Sequence, residues 1–322
     1  MIEVQDVSKS FFLAEAKQGA FASLKALFSR AQKEVKAVDH ISFSIREGDF
    51  VGYIGPNGAG KSTMIKMLAG ILHPTQGRIF VCGHSPHAER KKVARQIGVV
   101  FGQRTQLWWD LPVRDSFEIL QAMYNIDDTS YSRSLETFFD LLSLHEFFDT
   151  PVRKLSLGQR MRADLGAALL HDPPVLFLDE PTIGLDVMAK TKIRSFLKEI
   201  NESRKKTILL TTHDMDDIEQ LCGRVIIING GKKVIDTTMQ NLRRQIGLPS
   251  MIQVDYLDAP QLPGEIAGVE RLEVRDNQLT LYFDMQQTKS PQLLQEVAKW
   301  GEPVDIRMKE PGIEELIKRL YG

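Results

Sequence analysis

The chain has 322 residues, 43% of them hydrophobic and 26% charged, which is room and composition for one large α/β domain plus a smaller one around buried cores. A net charge of −1 gives no global electrostatic case for nucleic acid. Two cysteines, Cys82 and Cys222, stand outside any C-x-x-C pair, which argues against a disulfide framework or zinc site and fits a reduced cytoplasmic compartment. The first residues show no secretory signal pattern, and no apolar run approaches the ~20 residues of a spanning helix, so the chain is not expected to cross a membrane by itself.

Ile2–Val7 alternates apolar and polar residues and predicts a half-exposed strand. Between Leu13 and Lys36 the texture changes. Phe21, Leu24, Leu27, Phe28 and Ala31 recur at helical spacing, with Lys17, Lys25, Arg30, Lys33 and Lys36 around them. A basic amphipathic helix over 19–32 suits a membrane surface or a partner groove, or a helix packed on its own domain with a solvated face. Val38–Ile45 alternates again, and Arg46–Asp49 is turn chemistry leading into the apolar strand Phe50–Ile54.

Next comes Gly55-Pro56-Asn57-Gly58-Ala59-Gly60-Lys61-Ser62-Thr63, a G-x-x-x-x-G-K-[ST] pattern between a strand and a helical stretch. Gly55, Gly58 and Gly60 let successive N–H groups turn toward phosphate oxygens, and the following helix aims its positive end at the same anion. Lys61 supplies a point charge to the β- and γ-phosphates, and the Ser62 hydroxyl is placed to ligate Mg²⁺.

The helix ends near Gly70. Arg78–Cys82 predicts a strand, Glu89–Arg95 a charged helix, and the wholly apolar Ile97–Phe101 a buried strand, followed by Gln103 and the cluster Leu107-Trp108-Trp109. From Pro112 to Leu170 the pattern is helical, closing on Leu155-Ser156-Leu157-Gly158-Gln159. The strand Pro174–Glu180 then ends in two carboxylates, Asp179 and Glu180. A helix over 191–201, a strand Thr207–Thr212 ending at His213, a helix over 215–222 and the strand Arg224–Ile228 follow. Strands alternating with helices predict a mostly parallel sheet, with ligands beyond the carboxyl ends of its strands. The Gly-rich loop, Gln103, Asp179, Glu180 and His213 all fall at such ends. Adjacent carboxylates on a strand point to opposite faces, so Asp179 is read as orienting Mg²⁺ and Glu180 as the base that polarises an attacking water. His213 by itself would read as structural; beside the other motifs it reads as a sensor of the γ-phosphate.

These pieces together resemble the ATP-binding subunit of an ABC transporter. The match runs over residues 2–240 or so: Phe11 after Lys9, the phosphate loop, Gln103, L-S-L-G-Q, L-F-L-D-E, P-T-I-G-L-D ending at Asp186, and His213. The resemblance implies a P-loop α/β fold with a mostly parallel sheet, an antiparallel β subdomain and a helical insertion over 112–170 within residues 1–246. A small α+β domain over 247–322 would follow. It also implies Phe11 stacked on adenine, Gln103 near Mg²⁺ and the membrane partner, and Glu180 as general base assisted by His213. Ser156 and Gly158 would face the ATP of a second copy, and Leu157, Gln159 and Asp186 are expected among the ATP-binding residues, Leu157 standing where the family usually has glycine. ATP and Mg²⁺ are the expected cofactors. A homodimer with two composite sites, held by multi-spanning permease subunits at the inner face of the cell membrane, is the expected assembly. The finer likeness is to a bacterial exporter branch related to drug-resistance and viologen-exporter ATPases.

A soluble ABC ATPase acting on nucleic acid or the ribosome is the competing reading, but neither long coiled-coil insertions nor a second nucleotide motif is present; a regulatory ATP sensor is disfavoured by Glu180 and His213. Leu107, Trp108 and Trp109 are expected at the permease contact or in the core. In the C-terminal segment, strands over 251–257, 271–274 and 278–283 and helices over 291–300 and 311–320 are expected. Its role is read as a dimer contact or regulation, or as a passive cover for a sheet edge.

Overall fold

The computed structural model describes residues 1–14, 32–102, 104–246, 250–262, 268–283, 288 and 290–309, and the chain divides into two units, Met1–Thr238 and Met239–Gly322. The division falls ahead of the compositional shift near residue 246, so the helix Met239–Ile246 groups with the second unit.

The first unit is built on a six-stranded sheet. In spatial order the strands are β5 (Ile97–Phe101), β6 (Val175–Asp179), β7 (Thr207–Thr211), β3 (Phe50–Ile54), β8 (Arg224–Asn229) and β9 (Lys232–Thr238). The first five run parallel and β9 pairs antiparallel with β8. Every residue of β3, β6 and β7 is buried, as expected of parallel strands covered on both faces, and their sequences are therefore largely apolar runs. Truncating a filler such as Phe177 to alanine costs about 3–5 kcal/mol. The sequence reading stops at the turn before β9, because this edge strand is polar and buries none of its own residues fully.

Beside it lies a three-stranded antiparallel sheet, ordered β2 (Gln32–Ile45), β1 (Ile2–Ala14) and β4 (Gln76–Val81). Both long strands exceed the expected ones. Leu13 pairs with Lys33 and Ala14 with Gln32, so the two ends of the basic 13–36 segment are arms of a hairpin rather than helix. Cross-strand hydrogen bonding, invisible to a one-dimensional pattern, decides those ends. Apart from Gln32, the predicted basic helix over 19–32 falls outside the described residues. Ile2, Val4, Val7, Ile41 and Phe43 pack in one core with Met64, Ile65 and Leu68 of helix α1 (Lys61–Leu68).

The short helix α2 (Arg90–Ala94) leads into β5. Helices α3 (Val113–Tyr124), α4 (Asp128–Leu142) and α5 (Leu157–Leu169) lie between β5 and β6 in the chain, within the stretch read as helical, and bury Phe117, Phe138 and Leu142. Helix α6 (Val187–Arg204) starts four residues before the predicted helix, because Asp186 caps it, and α7 (Met215–Leu221) follows β7.

The second unit holds α8 (Met239–Ile246), β10 (Ser250–Tyr256), β11 (Val269–Arg275), β12 (Gln278–Phe283), α9 (Ser290–Val297) and β13 (Pro303–Lys309). Its sheet is antiparallel, ordered β11-β12-β10-β13. Alternate residues Ile252, Val254 and Tyr256 of β10 and Leu279, Leu281 and Phe283 of β12 pack on Leu293, Val297 and Trp300. That alternation is the period of two read in the sequence. Strand β13 was not anticipated, and the helix expected over 311–320 lies outside the described residues.

Candidate active site

The chain leaves β3 at Ile54 and turns through the Gly-rich loop into α1. Gly58 has φ +80°, and a Cβ there would meet no atom within 4 Å, so the loop keeps an open concavity on that side. Gly60, at φ 103°, precedes the first helical turn. Lys61 is buried, and its ammonium donates to the carbonyl oxygens of Gly55 at 2.8 Å and Pro56 at 3.2 Å. Burial pushes its pKa down, while the negative charges of Glu180 and Asp179 hold it up. The charge is thus aimed and partly desolvated, as suits a phosphate group.

Ser62 and Asp179 are brought together as the sequence predicts. The Ser62 hydroxyl donates to Asp179 Oδ1 at 3.1 Å, and Thr211, which the sequence reading missed, donates to the same oxygen at 2.5 Å. Two hydroxyls on one carboxylate oxygen fix its direction. The Ser62 and Asp179 oxygens are hard donors at the mouth of the phosphate loop, the set that Mg²⁺ prefers.

Glu180 requires a correction. It is not a strand residue: β6 ends at Asp179, and Glu180 takes φ +56°. Its direction comes from a left-handed turn rather than from strand alternation. The turn is pinned on both sides, with Glu180 N–H donating to Thr211 O at 2.9 Å and Gly102 N–H to Asp179 O at 2.7 Å. Gly102 is required there, since a Cβ would collide with the Glu180 carbonyl oxygen. Such a conformation costs a non-glycine residue about 1 kcal/mol or more, and structures tolerate it where side-chain direction matters. The outcome is a Glu180 carboxylate 3.5 Å from His213 Nδ1, with His213 half-exposed.

Behind this pair lies a buried polar knot that sequence reasoning missed. Asp217 is fully buried and accepts from Thr182 Oγ1 at 2.5 Å, Thr212 Oγ1 at 3.0 Å and Arg194 Nε at 2.6 Å. Thr182 follows Glu180 by two residues and Thr212 precedes His213, so one carboxylate ties the backbones that present both side chains. In sequence Asp217 is one of three acids beginning a helix, a pattern that ordinarily means a solvated end. Only its burial sets it apart.

Ser156, Leu157, Gly158, Gln159 and Asp186 form a separate group. Ser156 caps α5, accepting from Gln159 N–H at 3.2 Å while Gln159 Oε1 accepts from Ser156 N–H at 2.9 Å, a reciprocal capping box. Leu157 opens the helix with ordinary helical backbone, so the residue in place of glycine carries no strain, and its side chain lies against Gly184. Asp186 accepts from Ala189 N–H at 2.8 Å and caps α6. Among the described residues no hydrogen bond joins this group to Lys61, Ser62 or Glu180. Phe11 lies on β1, partly exposed, with the Lys9 ammonium 5.3 Å from its ring centre. Gln103 lies outside the described residues.

The segment after β5 is tied to α5 through Asp164. This buried carboxylate accepts from Thr105 Oγ1 at 2.8 Å and Gln106 N–H at 3.0 Å, and burial pushes its pKa up to about 6 against those bonds and nearby Arg160. Leu107 is core rather than surface, which removes it from the expected contact; Trp108 and Trp109 remain partly exposed, with Arg160 over the Trp109 ring.

Residues 38–183 match the model of a family described as ABC transporter. The chain is similar to the ABC transporter ATP-binding protein NatA of Bacillus subtilis, 32% identical over 67% of this chain and 87% of that one. It is 36% identical to a Nod factor export ATP-binding protein I of Burkholderia pseudomallei, over 77% of this chain and 81% of that one. A Nod factor export ATP-binding protein I of Rhizobium leguminosarum is 31% identical over 88% and 90% of the two chains. Among solved structures, an ATP-binding subunit of an ABC transporter superposes with a TM-score of 0.63 at 26% identity, covering 76% of this chain and 93% of that one. A dimeric ATP-binding cassette in a post-hydrolysis state, bound to ADP and Pi, does so with a TM-score of 0.61 at 25% identity, covering 74% and 99%.

Proposed function

The chain belongs to the ABC transporter family, and from its site we propose an ATP-hydrolysing export motor that closes on ATP as a homodimer and docks on separate permease subunits. The observation that carries the catalytic assignment is the Glu180 carboxylate, presented from a left-handed turn one residue past Asp179 and set 3.5 Å from His213 Nδ1. Lys61 exchanges its two carbonyl acceptors for β- and γ-phosphate oxygens. Ser62 and Asp179 would hold Mg²⁺, which when bound would offset phosphate charge. Glu180 takes the proton of a water whose oxygen bonds to the γ-phosphorus as the bond to the ADP oxygen breaks, and His213 holds the carboxylate and senses the phosphate. Phe11 gives adenine an aromatic platform, and Gln103 links the metal side to the permease. Among the described residues no helix is long and apolar enough to cross a membrane, so attachment to the inner face of the cell membrane is assigned to the permease.

Ser156 and Gly158 are assigned to the ATP of the second copy, because Ser156 at the capped start of α5 is exposed and its capping hydrogen bonds go to Gln159 rather than to the phosphate loop. Ser156→Arg is expected to block ATP-driven dimerisation while the monomer still binds ATP. Mixed with Lys61→Ala, it should regain one working site. Activity in the mixture no higher than in the separate variants removes the two-chain site.

Trp108 and Trp109 are assigned to the permease contact, and Asp164 connects their segment to α5. Trp109→Ala is expected to leave melting within a few degrees of wild type, since the side chain is about half exposed, and to uncouple hydrolysis from transport in the assembled exporter. A large fall in melting temperature with normal coupling would return this residue to the core.

A further inference from the structure

Strand β13 is an edge of the second unit's sheet, paired with β10 on one side and with no strand of the described residues on the other. Its apolar residues are unusually open: Val304 is 66% exposed, Ile306 38% and Met308 49%. Ile306 lies opposite Val254, and Met308 opposite Ile252. Ile306 and Met308 therefore stand on the core face of the sheet, while Val304 falls at the register shift between the Asp255 and Tyr256 pairs. Asp305 and Arg307 alternate with them on the other face. Arg307 pairs with Asp305 at 2.8 Å and with Asp255 at 2.6 Å, and both β13 charges are more than half exposed.

We propose that β13 is a homotypic docking edge: two copies of the chain pair antiparallel through residues 304–308, about a two-fold axis at Ile306. The order apolar, acidic, apolar, basic, apolar is complementary to its own reverse. Pairing about Ile306 sets each Asp305 opposite the partner copy's Arg307, and each Val304 opposite the partner copy's Met308. Neighbouring registers lose this. A dyad at Asp305 opposes two carboxylates, and a dyad at Arg307 opposes two guanidinium groups. The N–H and C=O groups that no strand of the described residues takes up on this edge supply the ladder, and the exposed apolar residues meet across the axis. Pro303 stands at the start of the strand and so bounds the paired stretch without interrupting it. A face made of Leu279, Leu281 and Phe283 cannot be the mating surface, because those side chains are core.

Five paired residues a side bury far less than the ~1,600 Å² of a standard interface, so the isolated contact is weak, with Kd of about 10–100 µM. Inside an assembled transporter, where the proposed motor places two copies together, an effective concentration near the millimolar range would keep it closed. That use rests on the proposed function; the contact itself needs no nucleotide.

Sedimentation equilibrium of the full chain without nucleotide, up to about 200 µM, tests it. Wild type should self-associate to dimers. Asp305→Arg and Arg307→Asp should each weaken association about tenfold or more, since like charges then face each other twice. An equimolar mixture of the two variants should form heterodimers, because their charges are complementary across the same axis. The double variant Asp305→Arg with Arg307→Asp should dimerise like wild type, since the exchanged charges still oppose each other across the axis and the new guanidinium faces Asp255 within its own sheet. The mixture cannot succeed if either variant is misfolded in this region. A monomeric wild type overturns the proposal. So does a dimer indifferent to both charge changes, a mixture that stays monomeric, or dimerisation only after removal of residues 310–322, which would make the chain's own end the cover of β13. Loss of hydrolysis in Glu180→Gln, or failure of that test, leaves these readings unchanged.

Discussion

Glu180→Gln is expected to bind ATP with near wild-type affinity and to turn it over about 10²–10⁴-fold more slowly, the usual worth of a positioned acid–base group. The amide is isosteric, so the left-handed turn held by Thr211 O and Gly102 survives, and only the ability to accept a proton is removed. Because ATP then persists, the closed dimer should accumulate, visible in dilute solution as an ATP-dependent doubling of mass. Single-turnover hydrolysis together with light scattering checks both arms. Turnover within a few-fold of wild type would take Glu180 out of the base role. Asp179→Asn should behave differently: the Asp179 oxygen is held by Ser62 and Thr211 hydroxyls and lies on the metal side, so its loss should be felt in the Mg²⁺ dependence of binding and hydrolysis.

Lys61→Ala is expected to lower ATP affinity by about 10²-fold or more, since charge-assisted hydrogen bonds to the phosphates are worth about 1.5–3 kcal/mol each. Its effect on folding should be small. Removing the ammonium deletes two hydrogen bonds to Gly55 and Pro56 carbonyls, but it also relieves the desolvation that lowers the group's pKa, and the two changes oppose each other. Calorimetric titration with ATP and a melting curve of the free chain separate the roles. Unchanged affinity refutes the phosphate assignment, whereas a melting temperature lowered by more than several degrees would mean that Lys61 chiefly braces the loop.

Much of this molecule is written locally. The phosphate loop is legible because its chemistry needs glycines and a lysine at fixed spacing, and β3, β6 and β7 because strands buried on both faces must be largely apolar. The capping box that starts α5 is equally local, a contact between Ser156 and Gln159 three residues apart, although the sequence reading did not use it. What the tertiary structure decided are interactions between distant residues. Strand alternation assigns Glu180 the wrong reason for its direction, since the turn that aims it is fixed by Thr211 and Gly102, brought beside it by the sheet. Asp217 looks like a solvated helix cap until Thr182, Thr212 and Arg194 close around it. Leu107 and Trp109, two residues apart in one apolar run, separate into core and surface only through packing. Polar β9 and open β13 are strands because a neighbouring strand supplies their hydrogen bonds, a partner that periodicity within a single segment does not encode. Residue type and spacing therefore determined which groups the site contains, and the sheet, by setting distant strand ends side by side, determined which of them act together.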